Sequence, residues 1–113
     1  MNLLHETTNL IKVSGHKIED IVFIGSESSG HQCTWEKFTV LADKEYSHMA
    51  GAQKVATDLI IVFSDGVKMW RDEYDGEEWW EFSTPFKQPS DNKPINRLFT
   101  KGVGWDTLAE INS

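Results

Sequence analysis

Between Trp70 and Phe82 the chain reads Trp-Arg-Asp-Glu-Tyr-Asp-Gly-Glu-Glu-Trp-Trp-Glu-Phe, a stretch holding three of the five tryptophans and six of the 18 acids. Tryptophan and tyrosine offer large, rigid contact area at low entropic cost. An arginine among them can stack on a ring or grip a carboxylate or phosphate. Such a mixture suits a binding face, and Trp70, Arg71 and Trp79 are its candidate residues. Asn92 and Arg97, downstream in a proline-rich connection, extend the candidate set. The opposing reading is a hairpin that sends one row of rings into the core and pairs the other row across strands. Trp80 and Phe82 fit the core row. Alternation cannot place Trp70 and Trp79 on that row as well, so at least one ring is expected at the surface.

The same carboxylates admit other chemistry. Glu73 or Glu77, or His31, could serve a small hydrolase or transferase, since paired carboxylates are the acid and base of glycoside cleavage. A row of acids could also mimic the phosphates of a nucleic acid on a basic groove. Calcium fits poorly, because the alternating ligands and the glutamate at position twelve of an EF-hand loop are missing. His31-Gln32-Cys33, with His16 and His48 in reserve, lacks the paired spacing of structural zinc, so no metal and no cofactor is expected. A catalytic Cys33 with a distant histidine is equally weakly supported. Gly25-Ser26-Glu27-Ser28-Ser29-Gly30 is neither a P-loop nor a nucleophile elbow. It precedes the helix start at Thr34, where backbone N–H groups could face an anion.

Charge is segregated. Residues 72–81 hold six acids and no base, whereas residues 87–101 hold Lys87, Lys93, Arg97 and Lys101 against Asp91 alone. The basic segment either crosses the acidic hairpin of its own molecule or leaves a bipolar surface. The net charge of −7 disfavours direct nucleic-acid binding through the whole surface.

The 113 residues suit one domain, spanning 1–113, with enough apolar content for a core. No apolar run approaches the ~20 residues of a membrane span, and no basic-then-apolar leader is visible. The single cysteine excludes an internal disulfide and fits a reducing compartment, the cytoplasm.

The elements that must position these residues follow from periodicity. Residues 1–13 are weakly patterned, with a short strand near residues 10–13. Ile18 to Gly25 predicts a strand, apolar on both faces and therefore central. Thr34 caps a predicted helix over 34–47, with Trp35, Phe38, Leu41, Ala42 and Tyr46 on one face. Strands are predicted over Val55 to Phe63, Val67 to Tyr74 and Glu77 to Ser83, joined by turns at Ser64-Asp65-Gly66 and Asp75-Gly76. Pro85, Pro89 and Pro94 break regularity over 85–96. Arg97 to Phe99 suggests a last short strand, and Trp105 to Ile111 a terminal helical turn capped by Asp106. The expected fold is α+β: an antiparallel meander of four to five strands with one amphipathic helix across a face.

Glu73 to Phe82, preceded by Asp58-Leu59-Ile60-Ile61-Val62 and by Trp35-Glu36-Lys37-Phe38, resembles a family of short phage and prophage proteins. That family carries a Glu-Tyr-Asp-Gly-x-Glu-Trp-Trp-like hairpin, and the resemblance spans residues 18–90. It implies a mobile-element origin and a non-enzymatic protein that binds and blocks a host factor in the host cytoplasm. The implied partner is a host protein complex, such as a CRISPR effector, or a nucleotide-derived immune signal. The rings that one small core cannot bury also suggest a homodimer.

Overall fold

The computed structural model describes residues 1–47, 51–84 and 89–113. It is an α+β fold built on a four-stranded antiparallel sheet in the order β1-β2-β3-β4. The strands are β1 (Ile21–Gly25), β2 (Ile60–Phe63), β3 (Lys68–Tyr74) and β4 (Glu77–Ser83). The β3–β4 turn has Asp75 at φ 52° and Gly76 at φ 87°, the paired positive dihedrals that an Asp-Gly hairpin turn supplies. In this hairpin Arg71 lies opposite Trp80 and Asp72 opposite Trp79.

Two helices, rather than one, cover the inner face. The segment 3–13 is a helix, α1 (Leu3–Val13), and not the expected short strand. Leu3, Leu4, Thr7, Leu10 and Ile11 recur at three- and four-residue spacing, and the Asn2 side chain accepts from the His5 N–H as its cap. The second helix, α2 (Trp35–Ala42), starts at Thr34, whose side chain accepts from the Lys37 N–H. It ends well before residue 47, so Tyr46 leaves the helix and turns toward the sheet. Ile11, Ile24, Phe38, Ala42, Ile61, Phe63, Met69 and Trp80 form one core between the helices and the inner sheet face.

Other boundaries move. β1 is an edge strand, not a central one. Its apolar character on both sides is explained by Ile24 entering the core while Phe23 lies beside Val62 on the outer face. Residues 55–59 do not pair as strand, because the Lys54 and Val55 N–H groups donate to the Glu78 carboxylate instead. The reserve histidine His16 stacks on Phe63 at 4.1 Å and bonds Asp65 at 2.7 Å. His48, Lys87 and the connection at residues 85–88 lie outside the described residues.

Residues 89–113 form an arm. Residues 97–99 are not a strand, and the terminal helix α3 (Leu108–Ile111) is capped by Thr107, not Asp106. Asp106 accepts from the Lys101 N–H, and Asn112 Oδ1 accepts from the Asn96 and Arg97 N–H groups. Among the described residues these hydrogen bonds close within the arm. The radius of gyration is 19.3 Å, against about 13 Å for a compact chain of this length, so the molecule is elongated, with extents of 55 × 34 × 28 Å. No helix among the described residues is long and apolar enough to cross a membrane.

Candidate functional site

The β3–β4 hairpin has two faces with opposite chemistry. On its inner face Met69, Arg71 and Trp80 are buried, and so is Glu78. The Arg71 side chain is 0% exposed, with Glu78 at 1% and Glu6 at 10%. Arg71 Nη1 donates to Glu6 at 3.0 Å, and Nη2 donates to Glu78 at 2.8 Å and to the Tyr46 hydroxyl at 3.0 Å. Tyr46 in turn donates to the other oxygen of Glu6. The guanidinium lies 5.0 Å from the Trp80 ring centroid, and the Trp80 indole N–H donates to Thr7 at 2.9 Å. One cation thus joins α1, the segment after α2 and both hairpin strands.

Electrostatics follow from that enclosure. Burial pushes the Tyr46 hydroxyl up to about 12, with its bond to Glu6 adding to the rise, so it stays a donor at all ordinary pH. For Glu78, burial favours protonation but is outweighed by the Lys54 N–H, the Arg71 guanidinium and the Val55 N–H, which hold the carboxyl below its usual value. Burial also works against the Arg71 charge, but Glu78, Tyr46 and Glu6 more than offset it and keep the group cationic. Arg71 therefore sits inside the core, bonded to protein groups, and offers no grip at the surface.

The outer face is different in kind. Beyond the Lys68–Ser83 pair at its end, where Lys68 lies 3.8 Å from Glu27, three cross-strand pairs stand there: Trp70 opposite Glu81, Asp72 opposite Trp79, and Tyr74 opposite Glu77. Each pair couples one aromatic ring with one carboxylate, and the two alternate along both strands as a checkerboard. Directly opposed residues in an antiparallel pair are about 5 Å apart, so every ring has a carboxylate neighbour. The Trp79 indole N–H donates to Glu81 at 2.7 Å, tying one ring to its acid. Tyr74 is 76% exposed. Neither α1 nor α2 packs on this face, since both lie over the inner core.

The sequence candidates therefore divide three ways. Trp70 and Trp79 share the outer face, Arg71 is in the core, and Asn92 and Arg97 lie exposed on the arm. Alternation alone places Asp72 with Trp70 and Tyr74, and Glu81 with Trp79, but does not bring the two sets onto one face. Combined with the Asp75-Gly76 turn it does, because the turn sets which residues face each other.

The serine loop folds on itself. Ser26 is buried and donates to Asp58 at 2.7 Å, while Ser29 and His31 Nδ1 bond at 2.8 Å. Half-buried Cys33 packs against the core. Among the described residues no three histidine, cysteine or acidic side chains converge to hold a metal ion. No protein-family model, curated protein or solved structure matches the chain.

Proposed function

We propose that the protein is a non-enzymatic binding protein that captures a cationic segment of a protein partner on the outer face of the β3–β4 hairpin. The observation that carries this reading is the checkerboard of Trp70, Trp79 and Tyr74 with Glu81, Asp72 and Glu77. A ring attracts a guanidinium or ammonium through its face, worth about 0.5–2 kcal/mol depending on desolvation, and an adjacent carboxylate satisfies the same cation's N–H donors. Three acids without a base on these pairs would repel nucleotide phosphates, which favours a protein over a nucleotide signal. The interspersed rings favour protein recognition over phosphate mimicry, for which an unbroken carboxylate row is better suited. The resemblance to phage proteins extends the proposal to an inhibitor of a basic host factor in the host cytoplasm. A nucleic-acid-handling complex such as a CRISPR effector has that chemistry.

Native mass spectrometry of the chain purified from infected host cells tests the proposal. The wild type is expected to carry a host protein at a fixed ratio. The Asp72→Asn/Glu77→Gln/Glu81→Gln variant should lose it while unfolding at nearly the same urea concentration. Retention of the same protein by the neutralised face, or recovery of a nucleotide alone, would overturn it.

A further inference from the structure

The arm carries the chemistry that the outer hairpin face is built to receive. Residues 92–105 include Lys93, Arg97 and Lys101 and no acid. The same stretch exposes Phe99 at 87%, Val103 at 90% and Trp105 at 90%. Isolated apolar residues are ordinary on a surface, but three large ones this exposed on one short segment mark an unfilled contact. The segment is also ordered for docking: Asn112 Oδ1 accepts from the Asn96 and Arg97 N–H groups, and Asn112 Nδ2 donates to the Arg97 carbonyl. Pre-organisation of this kind lowers the entropic cost of binding. No ion pair among the described residues joins the arm to the hairpin of its own molecule.

We propose that residues 92–105 of one copy seat on the checkerboard face of a second copy, and reciprocally, closing a two-fold dimer by arm exchange. Arg97 and Lys101 then lie against Asp72 and Glu77, and Phe99 and Trp105 cover the rings between them. Each copy contributes one arm and one face, so two identical contacts satisfy both and leave neither open. The inference rests on the outer face being a receptor for cationic segments. Its consequence is that a basic host partner competes with the arm, so the dimer is the resting form and the partner-bound chain a monomer within the complex.

Charge reversal at positions outside the core tests this. Sedimentation equilibrium of the full chain, at concentrations on the order of 10–100 µM, should show a dimer of twice 12.9 kDa. Arg97→Glu/Lys101→Glu, and separately Asp72→Lys/Glu77→Lys, should each weaken the dimer about tenfold or more, because each now opposes like charges. Mixing the two variants in equal amounts should restore the dimer, since the reversed arm meets the reversed face and the native arm meets the native face. A wild-type monomer throughout this range, or a dimer that neither variant weakens, would overturn arm exchange. A failure of the mixture to recover would do the same. Loss of the host partner by Asp72→Lys/Glu77→Lys but not by Arg97→Glu/Lys101→Glu reports separately on the face as receptor, so the two claims fail independently.

Discussion

Replacing Arg71 by methionine is expected to cost about 3–5 kcal/mol of unfolding free energy, the range for removing one side of a buried ion pair. Glu6 and Glu78 would be left in the core with Tyr46 and two backbone N–H groups but without the one cation that reaches them among the described residues. A domain of this size has about 5–15 kcal/mol in total, so the variant should unfold at much lower urea and be partly unfolded at 37 °C. Arg71→Lys keeps the charge but loses the planar fork that reaches Glu6, Glu78 and Tyr46 together, so it should fall between the two. The effect has a pH signature. Glu78 is held below its ordinary value of 4.5, so in the wild type its contribution is present above that pH and is lost as the pH falls through the folded value. Without Arg71, two of the contributions that hold the Glu78 carboxyl down are gone while the Lys54 and Val55 N–H bonds remain, so its value rises relative to the wild type and acid costs the variant less. The stability gap between the two proteins should therefore narrow as the pH falls toward about 4. A variant with the wild-type urea midpoint at neutral pH would contradict the network.

The second large effect is expected at Gly25, where β1 ends and the serine loop begins. A Cβ built there would lie 2.0 Å from the His31 carbonyl oxygen and 2.8 Å from Gln32 Cα, both backbone atoms. Those atoms are held by the Ser26 N–H to His31 O bond at 2.8 Å and the Cys33 N–H to Ile24 O bond at 3.0 Å. No flexible side chain can yield, so Gly25→Ala must push residues 31–33 away from the strand and break one or both bonds. Overpacking of this kind costs about 1–3 kcal/mol, and a backbone collision belongs at the top of that range. The same displacement moves Thr34, the cap of α2, and Phe38 behind it. Urea unfolding should show the loss, and a midpoint equal to wild type would show that the loop does not close on Gly25 as described.

The hairpin was legible in the sequence because two local signals agree there. Strict alternation assigns a face to each residue, and Asp75-Gly76 sets the register, so Trp80 inward and Trp79 outward follow before any tertiary contact is known. Alternation puts Arg71 on one face with Met69, and its chemistry points to a surface site. What reverses that is a partner 65 residues away, Glu6, on a helix whose polar Thr7 and Glu6 interrupt the apolar pattern. Those two residues are the ones that reach Trp80 and Arg71, so the network that buries the arginine also obscures the helix that completes it. The placement of β1 at an edge was likewise not local, since a strand apolar on both faces is edge or central according to what pairs beside it. The arm shows the opposite limit. Arg97 to Phe99 suggest a short strand by composition, but the Asn112 clamp on the Asn96 and Arg97 N–H groups holds them outside the sheet.

The central claim is that the two faces of one hairpin divide the work, the inner one holding the fold and the outer one receiving cations. The five indole N–H resonances in a nitrogen–proton correlation spectrum test it most directly, during titration with a capped peptide alternating arginine and leucine. The account predicts that the Trp70 and Trp79 signals move in proportion to bound peptide. Trp80, bonded to Thr7, and Trp35, stacked on Phe38, should stay in place. Shifts centred on Trp80 or Trp35, or no shift at Trp70 and Trp79 at saturating peptide, would contradict it.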